Sequence, residues 1–127
     1  MNRNQLLQIR PVIPTIMEAQ ASSLAEQFQN RTLRPLLKFQ NELLVAIFRK
    51  YIARRKDVFN QLSKSKQRVY IEESIRKDQK FKHLLLGTII GQFTSEEWEQ
   101  YLEVEKELNR RMADMIIQRL QDQLIGA

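Results

Sequence analysis

The chain has 127 residues, enough for one domain with its own core, and no cysteine, which excludes disulfides and thiolate metal sites. Three glycines and three prolines leave little material for the tight turns of a β-rich fold. Leu, Gln, Glu, Lys and Arg dominate, so the composition points to an all-α fold: a single-domain helical bundle of about six helices over 1–127. The formal charge of +6 is unevenly spread. Residues 34–68 carry ten basic and two acidic side chains, residues 69–127 eight and eleven. Such asymmetry implies a basic face for an anionic partner, or complementary faces that meet within the fold or across a dimer. No window holds the roughly 18 apolar residues of a membrane-spanning helix, and the N-terminus lacks the apolar run of a signal peptide. The expected location is cytoplasmic.

Asn2 or Asn4 can cap a short first helix with Leu6, Leu7 and Ile9 as its apolar residues, and Pro11 and Pro14 break it. Spacings of three and four among Ile16 or Met17, Ala21 or Leu24, and Phe28 predict a helix from Thr15 to Gln29. Ala21, Ser22, Ser23 and Ala25 in its middle permit close approach of a neighbour. Thr32 can then cap a new helix with Pro35 in its first turn, where the missing N–H is harmless. Leu33, Leu36, Leu37, Leu43, Leu44, Ile47, Phe48, Tyr51 and Ile52 form a broad stripe of helical period, so Thr32–Lys56 reads as one helix. Asp57 can cap a short segment holding Val58, Phe59 and Leu62. Residues 63–66, Ser-Lys-Ser-Lys, read as a loop. A helix over Lys66–Lys77 is expected to bury Val69, Ile71 and Ile75.

The least polar run in the chain is Phe81 to Trp98, and it is the expected hub. Leu84 to Ile90 has no charged side chain and reads as buried on all sides, in a helix that Asp78 caps and that runs from Gln79 to about Gly91. Gly87 suggests a close packing point and Gly91 a helix end. Thr94 and Glu97 fit a capping box, in which hydroxyl and carboxylate satisfy each other's backbone N–H groups. The last helix is expected to run unbroken from Ser95 to Leu124, about 45 Å at the helical rise. Glu105, by its spacing from Trp98 and Leu108, points inward and needs a basic partner.

Little in the chain carries catalytic chemistry. His83 is the only histidine and has no ligating residue one turn away, so a polar helix-edge role fits it better than a metal site. Glu72–Glu73 and Glu96–Glu97–Glu99 lack the Glu-x-x-His pattern of a bundle di-iron site and read as solvated faces. No phosphate loop, dinucleotide fingerprint or nucleophile elbow is present. The sequence therefore offers no catalytic, cofactor or metal site. The most partner-like feature is the basic cluster Arg49, Lys50, Arg54, Arg55 and Lys56, continued by Lys64, Lys66 and Arg68. It can track phosphates, and Tyr51 could stack on a base, although Tyr51 also falls on the apolar stripe. The competing reading, which the sequence favours, is a solvated face or a dock for the acidic Glu96–Glu107 stretch.

The runs LRPLLKFQNELL (33–44) and GTIIGQFTSEEW (87–98) resemble a small all-helical bacterial family of uncharacterised proteins, over most of the chain. Members of such families are sometimes labelled glyoxalase. That label implies a metal-dependent βαβββ module with histidine, glutamate or glutamine ligands on strands, and one histidine without a strand pattern does not supply it.

Three functions are compatible with these features. The first is a non-enzymatic interaction or scaffold protein that self-associates as a homodimer through Met112, Met115, Ile116, Leu120 and Leu124, because a 45 Å helix overhangs a domain of this size. The second is a nucleic-acid-binding domain using the basic cluster. The third is a small-ligand pocket near Gly87, Trp98 and Tyr101.

Overall fold

The computed structural model describes residues 3–11 and 23–125. Throughout these residues the regular structure is helical. A 3₁₀ turn over Arg3–Gln5 leads into α1 (Leu6–Ile9), which stops where Arg10 turns extended ahead of Pro11. The expected helix from Thr15 begins outside the described residues. In its described part Ser23 is extended and caps α2 (Leu24–Phe28) by accepting from the Glu26 N–H at 3.1 Å.

The next boundary is also displaced. Thr32 does not cap a helix: the chain passes through it in a widened turn over Gln29–Leu33, where the Arg34 N–H reaches back five residues to the Gln29 carbonyl. That widening makes room for Pro35, which lacks an N–H and crowds the carbonyl one turn before it. α3 (Arg34–Phe39) and α4 (Asn41–Ala53) then replace the single expected helix. Gln40 interrupts the dihedrals between them and donates its side-chain amide to the Thr88 carbonyl at 2.9 Å. Leu43 leaves the stripe and is exposed.

After a 3₁₀ turn over Val58–Gln61, only Leu62 and Ser63 precede α5 (Lys64–Lys77), whose first turn Ser63 caps. The expected loop over 63–66 is thus helix from its second residue. Ile71 and Ile75 are buried, one turn apart, whereas Val69 is exposed. It cannot share a face with Ile71, two positions on. Asp78 caps α6 (Gln79–Ile90) as expected, accepting from the Phe81 N–H at 3.1 Å. α6 is not buried all round: His83, Leu84 and Gly87 face solvent.

The long last helix is two helices. α7 (Ser95–Glu103) and α8 (Glu105–Leu124) meet at Val104, whose φ of −134° and ψ of 37° are not helical. The break resets the phase, so Glu105 lies exposed and needs no buried partner, and Trp98 is 45% exposed. It also removes the overhang, since α8 has 20 residues and spans roughly 30 Å. α8 is the central rod, packed against α4, α5 and α6. Its Leu108, Met112, Ile116 and Leu120, four apart on one face, are all inaccessible to solvent. They meet Leu44 and Phe48 of α4, Ile71 of α5, and Leu85 and Ile89 of α6 in one continuous core.

A Cβ added at Gly87 would meet no atom within 4 Å, so this glycine is no packing notch. It is an exposed mid-helix residue that only adds freedom to the unfolded chain. Gly87→Ala is expected to raise stability by about 0.5–1 kcal/mol in urea titrations. Gly91→Ala should not, because its Cβ would lie 3.0 Å from the Gly87 carbonyl oxygen.

Candidate functional site

Two clusters of polar side chains stand out, and they differ in kind. The first surrounds the α6–α7 turn. The Thr94–Glu97 capping box forms as the sequence predicts, with both reciprocal hydrogen bonds at 2.9 and 3.1 Å. Glu97 does more than cap. It accepts two hydrogen bonds from the Arg10 guanidinium, at 2.6 and 2.9 Å, and a third from the Thr32 hydroxyl at 3.0 Å. The ion pair is nearly closed to water, with 7% and 12% of the two side chains exposed. The same turn leaves α6 with unpaired carbonyls, as every helix C-terminus does. Arg3 donates to the Gly91 and Phe93 carbonyls, Arg10 to that of Gln92, and Gln40 to that of Thr88. Cations at that end also suit the helix dipole.

This cluster is a clasp. Apart from the buried Arg10 Nε, which has no hydrogen-bond partner, its groups satisfy one another, and it ties the N-terminal segment, the Thr32 turn and the α6–α7 junction together. Burial pushes the Glu97 carboxyl up, but hydrogen bonds from Arg10, Thr94 and Thr32, with the Arg10 charge, outweigh it and hold it below its ordinary 4.5. A depressed folded-state value contributes stability above pH 4.5 that is lost as pH falls through the folded-state value. Glu97→Gln is therefore expected to lower stability at pH 7 by about 3 kcal/mol, since it strands the Arg10 charge. It should also flatten the acid limb of the stability–pH curve measured by urea unfolding.

The second cluster is open. Of the basic residues singled out in sequence, Arg49, Lys50, Arg54, Arg55, Lys56, Lys64 and Lys66 are exposed and Arg68 is half-buried. They occupy the end of α4, the turn after it and the start of α5. Asp57 is the one acid within 49–68. Lys56 and Asp57 both take left-handed backbone, with φ of 60° and 54°, at a cost of roughly 1–2 kcal/mol for a side chain such as lysine. Glycine would fit that turn with less strain, yet the chain places a cation there.

Arg55 is the ordered member of this corner. Its guanidinium carbon lies 3.5 Å above the Tyr51 ring centroid, and it donates to the Tyr51 carbonyl at 3.2 Å and the Asp78 carboxylate at 3.5 Å. The Tyr51 hydroxyl also donates to Asp78, at 3.2 Å. The Arg55–Asp78 contact brings the N-terminus of α6, with exposed Lys77 and Lys80 on either side of Asp78, to the same corner. Spacing alone offered part of this: Tyr51 and Arg55 are one helical turn apart, the separation at which an arginine covers an aromatic ring. The involvement of Asp78, Lys77 and Lys80 is tertiary.

The acids of the Glu96–Glu107 stretch do not cover this corner. Glu96, Glu99, Glu103, Glu105 and Glu107 are exposed, Glu97 is held in the clasp, and Glu107 pairs with Arg111 at 3.0 Å. Met112, Ile116 and Leu120, expected as a dimer face, are wholly buried in the chain's own core, with Met115 and Leu124 half-buried against it. Pairing two copies through them would require opening the bundle. The expected pocket is dispersed as well. Trp98 borders a shallow cavity of about 350 Å³ with Arg3, Ile90 and Phe93. Tyr101 is buried beneath it with its hydroxyl on Asn109, and Gly87 lies elsewhere, on the open face of α6. Among the described residues no group of three or more His, Cys, Asp or Glu side chains could hold a metal, and no helix is long and apolar enough to cross a membrane.

No family model matches the chain, and neither a curated protein nor a solved structure matches it. The functional reading rests on the geometry.

Proposed function

We propose that this chain is a nucleic-acid-binding helical domain whose contact surface is the α4–α5 corner. The observation that carries the reading is the solvent exposure of Arg49, Lys50, Arg54, Arg55, Lys56, Lys64 and Lys66, with Asp57 the lone acid in their segment. Cations gathered at one end of a bundle repel one another, and a phosphate backbone relieves that repulsion while releasing its condensed counterions. The alternative of a dock for the acidic helix loses its support, because the α7 carboxylates point to solvent or into the clasp. The overall charge of +6 acts in the same direction by steering polyanions to the molecule.

The test is a gel shift with a mixed-sequence oligonucleotide at about 50 and 200 mM salt. For five or six phosphate contacts affinity should fall by roughly 10³-fold between the two. The double variant Arg54→Glu/Lys56→Glu should abolish the shift while leaving the helical circular-dichroism signal intact, since both side chains are exposed. Absence of any shift at the lower salt would overturn the reading.

A further inference from the structure

We propose that Arg55 is a stacking platform for a nucleobase, which makes single-stranded nucleic acid the ligand class of the basic corner. The inference rests on the nucleic-acid reading above and adds what phosphate contacts do not give, a preference for strands with accessible bases.

Two rings and a guanidinium lie in a column. The Phe81 ring stacks on Tyr51 with centroids 3.9 Å apart and 24° between the planes. The Arg55 guanidinium lies 3.5 Å over the Tyr51 centroid. Two groups this close cannot share one face of the ring, so Tyr51 is held between Phe81 and Arg55. Tyr51 was the sequence candidate for base stacking, and both its faces are occupied. The outer surface of the column is the guanidinium. Its edge is tied to the Tyr51 carbonyl and the Asp78 carboxylate, and its side chain remains 44% exposed.

A guanidinium fixed in this way presents a flat cation whose orientation is set before ligand arrives. Little side-chain freedom remains to be lost on contact. Unstacked bases of single strands lie on aromatic and arginine planes, whereas bases inside a duplex are already covered by their neighbours. Arg54 and Lys56, the exposed neighbours of Arg55 in the chain, and Lys80, exposed two residues after its partner Asp78, supply cations for the phosphates on either side of a base seated on Arg55. A lysine at position 55 would keep the charge and lose the plane.

The experiment is fluorescence anisotropy at about 50 mM salt with three labelled probes of one length. These are a mixed-base single strand, the corresponding duplex, and an abasic strand with the same number of phosphates. The wild-type chain should prefer the base-bearing single strand to the abasic one by roughly tenfold, the range of one stacked base. Arg55→Lys, which keeps the charge, should erase that preference so that base-bearing and abasic strands bind alike, while Arg110→Lys on α8, outside the corner, should leave the preference unchanged. Equal affinity of the wild type for base-bearing and abasic strands overturns the stacking proposal and leaves the phosphate reading standing, and this comparison needs no variant to fold. A preference that survives Arg55→Lys overturns it too. Failure to bind any of the three probes removes both readings.

Discussion

A carboxylate almost closed to water, Glu97, sets the arrangement of this molecule. A buried charge persists only when its lone pairs are filled and its charge is opposed. Glu97 meets that demand with the Thr94 backbone N–H, the Thr32 hydroxyl and the Arg10 guanidinium, from three separate stretches of chain. The same need explains why Thr32 and Thr94 are buried polar residues: both face this carboxylate. Arg3, Arg10 and Gln40 meanwhile supply donors to the C-terminal carbonyls of α6, so the α6–α7 turn and the N-terminal segment complete each other.

That choice of partners has a consequence at the other end of the charge distribution. The chain holds a strongly basic middle and an acidic C-terminal half, and in principle the two could neutralise one another. The acids of α7 take no part in this, because α7 is fixed by its junction with α6 and the N-terminal segment, and its remaining acids face solvent. α8 is then free to serve as the central rod, with its Leu108–Leu120 stripe closed by α4, α5 and α6. Asp57 is the one acid within 49–68, and Asp78 is already engaged as the cap of α6 and the anchor of Tyr51 and Arg55. An open cation surface is thus a product of how the fold meets its internal polar requirements.

Features with a local cause were legible in the sequence. The Asp78 cap and the Thr94–Glu97 box depend on residues three apart, and the all-α class follows from stripes of period three to four. The misread boundaries have distant causes. Gln40 bends its helix toward a carbonyl 48 residues away, and the Thr32 side chain serves a carboxylate 65 residues away instead of its own helix. The break at Val104 has no local marker beyond a β-branched side chain, which only weakly disfavours helix. Missing it extended the last helix, and the apolar end assigned to a second copy of the chain proved to be the core. The site was half legible: the basic residues and the Tyr51–Arg55 spacing are visible, whereas Phe81 beneath the ring and Asp78 at its edge come only with the packing of α4 on α6.

Backbone NMR of the labelled chain, titrated with a short single-stranded oligonucleotide, tests the account most directly because it reads location. Shift changes are expected to be confined to residues 49–66 and 77–81 and to saturate together, with the amides of α7 and the Arg10–Glu97 clasp unmoved. Changes centred on α7, or spread evenly over the surface, would contradict it.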